Sequence, residues 1–499
     1  MIKFFVKDII KYFPSQIAPA LAGFISIPII TRIFLPDSYG YYQLVMGIVG
    51  ALSILVYWVA SSLTRFYSVY ERDGKLDILN ATLLRCFFIT LSIVAFLFFM
   101  AVQIFHNRLS PELYKLMLIG DLVFIAASSF SFGLEFLRIK RLAGYYSSFS
   151  TWKAAGSLGL GILMIYAFNT GIEALFYGTI VSIVLILPRI YGKALSGMRF
   201  FRDLIKPAFS KSLFWEMLVY SLPLIAGNLA FWVLNLSDRY IIQFFGNACQ
   251  VGMYSAVYRI GENSILMITS LFLLTERPIL INVWEKSGEL EAGRLLSKIT
   301  RYYILIATPA TVGIIFLSRQ IMQIMTGAGY HEAYAILPFI AASIYFLGMS
   351  QRFMTVFSLV KKTKYYMLII LGAAALNIAL NLVFVKKYGY YAAAVTTLIG
   401  YIAMLFFNAY YSSKFFKWDF PLPSLFRSMC ASLIMGAGAG FIVNTFKFYG
   451  ILNLILAVIS GAVIYGVLLF LFGEILPEEK KEIKSFGNTR ISGFFRASS

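Results

Sequence analysis

The chain of 499 residues is 60% apolar and only 13% charged, with a mean hydropathy of +0.79. A soluble domain carries about 25% charged residues, so this composition reads as a polytopic membrane protein. The net charge of +20 comes from basic residues in short loops between apolar stretches, which excludes a nucleic-acid-binding surface. Cys86, Cys249 and Cys430 share no metal-like spacing and both histidines fall in predicted outer loops, so no disulfide framework, metal site or cofactor is expected.

In chain order, residues 1–13 place Lys3, Lys7 and Lys11 at helical spacing with Phe5, Val6, Ile9 and Ile10 between them. That pattern predicts a short amphipathic helix on an anionic surface. No small-residue cleavage site follows, so the first apolar run reads as an uncleaved span. A span needs about 20 mostly apolar residues, and about fourteen such stretches follow. The first six lie near 14–35, 41–63, 84–105, 113–136, 147–168 and 172–191. A middle pair lies near 217–245 and 250–281, and the rest near 302–324, 333–357, 365–385, 389–411, 427–446 and 449–473. With the N-terminus inside, cytoplasmic segments hold 33 of the 43 Lys and Arg and outer loops 6, leaving Arg32, Arg239, Arg259 and Arg352 inside spans. This bias predicts an even span number with both termini cytoplasmic. Cytoplasmic loop 192–214, with Arg199, Arg202, Lys206 and Lys211 among apolar residues, has an interfacial-helix pattern, and 284–301 resembles it. Both also read as solvated connectors.

The stretch from Tyr220 to Ile281 is nearly unbroken apolar sequence, yet it carries Asp238, Arg239, Arg259 and Glu262. A charge at bilayer depth costs about 2.5–3.5 kcal/mol on insertion scales, so it usually faces a bundle interior or a watery cavity. The N-terminal part echoes this stretch. Arg32 followed by Tyr39-Gly40-Tyr41-Tyr42 resembles Arg239 followed by Val251-Gly252-Met253-Tyr254. Residues Phe136 to Tyr146 likewise resemble Phe357 to Tyr366, and Gly171 onward resembles Gly389 onward. Six spans therefore repeat as six in parallel orientation, a common transporter plan with the site between the halves. The expected organisation is an all-α integral membrane fold of two pseudo-symmetric six-helix bundles. Residues 1–210 form the first with its amphipathic N-terminus, and 211–413 the second. Residues 414–473 add two accessory helices without a repeat partner, and 474–499 form a cytoplasmic tail.

Ile27-Pro28-Ile29-Ile30-Thr31-Arg32-Ile33-Phe34-Leu35-Pro36-Asp37-Ser38-Tyr39-Gly40 resembles the opening of the polysaccharide-transport branch of the MOP exporter superfamily. Ser237-Asp238-Arg239-Tyr240-Ile241-Ile242 resembles the same branch's seventh span. That branch holds the Wzx-type O-antigen and exopolysaccharide flippases and is related to the lipid II flippases and MATE exporters. The resemblance implies alternating access and movement of undecaprenyl-diphosphate-linked oligosaccharide from the inner to the outer leaflet of the cytoplasmic membrane. It also implies membrane lipids, a polysaccharide polymerase and a chain-length regulator as partners, and no nucleic acid. Fold alone does not establish the substrate.

A lipid-linked sugar diphosphate needs fixed cations in a hydrated cleft, and arginine stays charged and grips phosphate in a fork. The candidates for substrate binding are Arg32, Arg65, Arg239 and Arg259, with Arg65 at the cytoplasmic mouth of the second span. Each also has a plainer reading. Arg32 can snorkel to outer headgroups, Arg239 can make a structural bond, and Arg259 can pair with Glu262 three residues on. Arg352 reads as structural or interfacial. Asp121, Glu135, Glu173, Asp238 and Glu262 are candidates for carrying a coupling proton or sodium ion, or for satisfied helix-packing groups. No nucleotide-binding loop or paired histidines point to an enzyme. A polymerase or ligase would carry a large outer loop with basic and histidine residues. A cation-coupled drug exporter of the same superfamily would favour acids over arginines in its cavity.

Overall fold

The computed structural model describes residues 2–195, 209–445 and 450–474. Among the described residues there is no strand, and eleven helices are long and apolar enough to cross a membrane. In chain order the helices are α1 (Ile2–Ile33), α2 (Pro36–Arg72), α3 (Leu76–Ile104), α4 (Pro111–Ile139), α5 (Ala143–Phe168), α6 (Glu173–Ala194), α7 (Lys211–Phe245) and α8 (Ala248–Gly261). Then follow a π-helical turn (Glu262–Leu266), α9 (Met267–Phe316), α10 (Ser318–Met325), α11 (Leu337–Leu359), α12 (Thr363–Ser413), α13 (Leu422–Thr445) and α14 (Gly450–Leu471). Large apolar side chains cover the outside, with Phe244 80%, Tyr166 75% and Phe426 72% exposed. Such a surface is stable only in lipid, where backbone groups must be satisfied within helices. The chain is therefore a multi-pass membrane protein.

Local chemistry sets the helix ends. Pro36 and Pro111 occupy first-turn positions where the missing N–H costs nothing. Ser110, Ser210 and Asn247 accept backbone N–H groups at the starts of α4, α7 and α8. Two long helices are broken at glycine. Gly288 (φ 84°) interrupts α9 and Gly389 (φ 59°) interrupts α12, a left-handed backbone that glycine adopts without penalty. The amphipathic segment and first span expected as separate elements form one continuous helix, α1. The interfacial helix expected in 192–214 lies largely outside the described residues, as does the tail beyond Glu474.

The repeat is written into the backbone. Arg141 (φ 55°) and Lys361 (φ 58°) both turn left-handed, closing the equivalent turns after α4 and α11. Leu142 N donates to Leu137 O (2.9 Å) and Lys362 N to Phe357 O (2.8 Å). Asn169 (φ 53°) and Gly389 (φ 59°) repeat this equivalence at the same spacing. The structural partner of Gly389 is therefore Asn169 and not Gly171, as the sequence match suggested.

Contacts sort the chain into two compact units. The first comprises 1–263, 325–333 and 367–400, and the second 264–324, 334–366 and 401–499. This grouping does not follow the expected division at residues 210 and 413. In the first unit α2 crosses α8 at backbone distance: a Cβ on Gly40 would collide with Ala248 O, and one on Gly252 with Pro36 O. The two repeat-matched glycines thus make the same close approach reciprocally. Ser221 of α7 locks to α2 through Ser62 Oγ (2.8 Å) and Trp58 O (3.1 Å).

In the second unit Leu280, Leu296, Val356, Leu359 and Phe416 form one apolar cluster, and Tyr303, Ile304, Ala307, Tyr345 and Met349 another. The last two helices pack against α9 of this unit. Gly436 of α13 lies against the Phe316 ring, and Tyr465 of α14 donates to Leu305 O (2.9 Å). Beyond α14, Glu474 is 2% exposed and pairs with Arg301 Nε (2.7 Å) and Arg427 Nη1 (3.1 Å).

Burial opposes ionisation of Glu474, but hydrogen bonds from Ser424, Arg301 and Arg427 outweigh it and hold the carboxyl below the usual glutamate range. A depressed folded pKa stabilises above the unfolded value of about 4.3 and loses that contribution as pH falls through the folded value. Thermal unfolding of the purified protein should therefore drop by several degrees on acidification below about pH 4. Glu474→Gln should start lower at neutral pH and lose most of that acid-dependent fall. An unchanged pH profile in the variant would remove Glu474 as the cause.

Candidate functional site

Asp238 and Arg239 of α7 belong to a buried polar region of the first unit. Asp238 is fully buried and Arg239 is 3% exposed. Adjacent on α7, they point apart and recruit different partners. The Asp238 carboxylate accepts from Tyr254 Oη (2.6 Å), Thr397 Oγ1 (2.7 Å) and Asn381 Nδ2 (2.6 Å). Around it, Asn381 also donates to Asn377 Oδ1 (3.1 Å), and Thr396 and Thr397 donate to Ala393 O. Thr396 Oγ1 meets Asn381 Oδ1 as well. One carboxylate is thus surrounded by two amides, three hydroxyls and a carbonyl, all buried.

The amide oxygens and nitrogens can exchange places by rotation. Turning Asn377 and Asn381 would present oxygens where donors now stand, and the Asn377 Nδ2 is without a hydrogen-bond partner among the described residues. One negative charge with neutral oxygens suits a monovalent hard cation. Among the described residues no group of three or more His, Cys, Asp or Glu could hold a metal ion.

Arg239 donates from Nε to Ser255 Oγ (3.1 Å) and from Nη1 to Asn235 O (3.0 Å). Its guanidinium lies 4.8 Å from the Tyr258 ring and 5.8 Å from Tyr254. Arg259, one residue on from Tyr258, is partly exposed and reaches Glu262 Oε2 at 3.5 Å. Both guanidiniums act electrostatically on Tyr39 of α2, where Tyr39 stacks on Tyr42. The structure therefore brings Arg239 and Arg259 together with a group of tyrosines. The i,i+3 partnership of Arg259 and Glu262 precedes the π-helical turn, a feature that recurs at functional sites.

The other candidates lie elsewhere. Arg32 is exposed at the end of α1, where its Nη1 donates to Pro28 O (2.8 Å). Arg65 lines a cavity of about 270 Å³ with Tyr70, Asp73, Lys75 and Glu216. Glu173 begins α6 and pairs with Lys115 Nζ (2.6 Å). Glu135 pairs with Arg138 Nη2 (2.7 Å) and accepts from Tyr57 Oη (3.3 Å), which makes it a satisfied packing group. Asp121 is 8% exposed and its Oδ1 has no hydrogen-bond partner among the described residues. Asp121, Ser128 and Glu135 follow each other at seven-residue spacing along one face of α4.

Sequence reasoning missed three groups. Glu276 meets Arg352 in a fully buried ion pair of the second unit. Asn377 and Asn381 complete the Asp238 cluster, and as uncharged residues they carry no hydropathy signal strong enough to mark them. Lys153, counted above with the cytoplasmic charges, stands inside α5. Its position well within the 147–168 span was the available signal.

Comparison with known proteins adds the following. The profile of the family described as "Polysaccharide biosynthesis protein" matches residues 5–278. The chain is 21% identical over 380 residues to an uncharacterized membrane protein of Methanocaldococcus jannaschii, covering 72% of this chain and 74% of that one. It is 23% identical over 328 residues to a probable low-salt glycan biosynthesis flippase, Agl15, of Haloferax volcanii, covering 64% and 65%. Among solved structures, the lipid II flippase MurJ in its inward closed conformation matches with a TM-score of 0.75 at 16% identity, covering 94% of this chain and 98% of that one. An inward-facing multidrug resistance MATE transporter of the MOP superfamily matches with a TM-score of 0.62 at 15% identity, covering 80% and 94%.

Proposed function

This chain belongs to the family of polysaccharide biosynthesis proteins, and from that premise we propose that it is a flippase of the MOP exporter superfamily for lipid-linked oligosaccharides. The substrate class is a polyprenyl phosphate or diphosphate carrying a short glycan, moved from the inner to the outer leaflet of the cytoplasmic membrane by alternating access. Undecaprenyl-diphosphate-linked O-antigen, capsule or exopolysaccharide units are members of that class. The glycan flippase of Haloferax volcanii supports the wider class beyond O-antigen. In this reading the repeats 1–210 and 211–413 are the alternating halves, both termini are cytoplasmic, and a polymerase and chain-length regulator receive the product.

The observation that carries the reading is the pair Arg239 and Arg259 among tyrosines. Phosphate oxygens are gripped by guanidinium forks, and tyrosine faces and hydroxyls suit a sugar. Arg259 is the cleaner probe, because it is partly exposed and held only loosely by Glu262. Arg32 and Arg65 are proposed as outer and inner entry contacts, and Asp238 as the coupling-ion ligand. Asp121, Glu135, Glu173 and Glu262 rank behind it, three of the four being already paired with a base.

In a flippase-deficient strain complemented with this chain, Arg259→Ala should lower surface glycan at least ~10-fold, equivalent to about 1.4 kcal/mol. Protein level in the membrane should stay normal, and Arg259→Lys should keep part of the activity. Arg239→Ala should lose both activity and some protein, since it empties a buried site. Full surface glycan with Arg259→Ala at normal protein level defeats the assignment. A drug exporter would instead leave glycan unaffected and protect cells from cationic drugs.

A further inference from the structure

Lys153 stands ten residues into α5, about 15 Å along its axis, near the middle of a 26-residue apolar helix. A charge at such a depth is costly and marks a function unless it is paired. Among the described residues no carboxylate pairs with Lys153. Its Nζ lies 4.8 Å from the Phe130 ring centre. It also lines an open cavity of about 450 Å³ whose walls come from α1, α2, α4, α5 and α6 of the first unit, a size that suits a small-molecule ligand.

The cavity wall has a recognisable chemistry. Ser150 and Ser157 flank Lys153 on α5, Tyr42 faces it from α2, and Thr179 from α6. The buried Ser157 Oγ has no hydrogen-bond partner among the described residues. Phe130, Leu158 and Leu175 supply apolar walls. One cation, several hydroxyls that can donate and, among the described lining residues, no acid describe a site for a compact anion. A cation would find no counter-charge here, and a purely apolar guest would leave Lys153 and Ser157 unsatisfied.

We propose that Lys153, with Ser150, Ser157 and Tyr42, forms an anion-binding pocket inside the first unit that takes a carboxylate or phosphate group on a sugar-sized body. This pocket adjoins the Arg239 and Arg259 group through Tyr42 but has its own cation in Lys153, and it does not depend on which lipid carrier the protein moves. The ammonium would hold the anionic oxygens, Ser157 would donate to one of them, and the tyrosine and phenylalanine faces would cover the ring.

The test uses the full chain, purified in detergent, and follows thermal unfolding with glucuronate, inorganic phosphate or glucose at constant ionic strength. Either anion should raise the unfolding temperature of the wild type saturably, while glucose should not. Protection by glucuronate alone assigns a sugar acid, and protection by phosphate assigns a phosphoryl group. Lys153→Met should weaken half-saturation at least ~10-fold, Lys153→Arg should preserve it, and Ser157→Ala should weaken it by a smaller factor. If Lys153→Met does not fold, the Lys153→Arg and Ser157→Ala pair decides. Anions protecting Lys153→Met as well as the wild type, or Ser157→Ala binding unchanged where Lys153→Met is unusable, would overturn the proposal. So would failure of both anions to protect the wild type, or equal protection by glucose.

Discussion

Asp238→Ala should abolish glycan export and lower the stability of the first unit together. The variant removes the common acceptor of Tyr254, Thr397 and Asn381. Thr397 and Asn381 keep Ala393 O and Asn377 Oδ1 as second acceptors, while a buried donor left without a partner costs about 1–3 kcal/mol. Asp238→Asn separates the two effects. It keeps the shape and one oxygen acceptor but removes the only negative charge of the cluster. If the carboxylate serves as a cation ligand, Asp238→Asn leaves the protein folded and at normal level, yet export no longer responds to sodium or to a proton gradient. Membrane vesicles prepared with and without each gradient provide the measurement. Retained ion dependence in Asp238→Asn would show that Asp238 is a structural acceptor and that the coupling ion binds elsewhere.

Arg352→Met alone should be among the most damaging single substitutions in the second unit. Arg352 and Glu276 are both fully buried and paired, and the guanidinium lies 5.0 Å from the Tyr303 ring and 5.7 Å from Phe272. Removing one partner of such a pair strands the other charge, at a cost of about 3–5 kcal/mol. Replacing both by apolar residues removes the stranded charge as well. The double variant Arg352→Met/Glu276→Leu should therefore recover to within about 1 kcal/mol of the wild type. Thermal unfolding of the two singles and the double gives the coupling directly. Equal damage in the double variant and the worse single would mean that the pair does more than neutralise itself.

Deleting residues 414–499, which include the helices without a repeat partner, is expected to open the second unit. Tyr465 and Gly436 are contacts of α9, and Glu474 closes on Arg301. The repeat pattern carries no information about these contacts, because residues without a repeat partner can still bury surface against residues that have one.

The helical class, the membrane environment and the family were legible from composition and from two motifs, since lipid forces long apolar runs that no soluble fold requires. The repeat was legible too, although its register at Gly389 was read two residues off. Only the backbone angles at Asn169 and Gly389 identify the equivalent turn, because a left-handed residue can be asparagine or glycine. The interior charges were found, but their roles were not. Arg32, Arg239, Arg259 and Arg352 look alike in sequence, each a lone arginine in an apolar stretch. In the structure one bends back to its own helix, one is buried among hydroxyls and rings, one is held loosely and one is neutralised. Spacing along a chain states which face a residue occupies. It does not state what the opposing helix presents there.

That difference marks what each level of description determined. Sequence by itself determined that this chain crosses a membrane many times, that its six-span pattern is repeated, and that cations and acids lie inside it. Hydropathy, charge bias and local motifs are properties of short segments, and short segments carry them openly. Tertiary structure alone decided that Asp238 meets Asn381 and Thr397 more than 140 residues away, that Glu276 pairs with Arg352, and that Lys153 faces a cavity whose described lining holds no acid. Such pairings depend on helix packing between distant segments, and the polar residues that complete them contribute too little to local hydropathy to be read in advance.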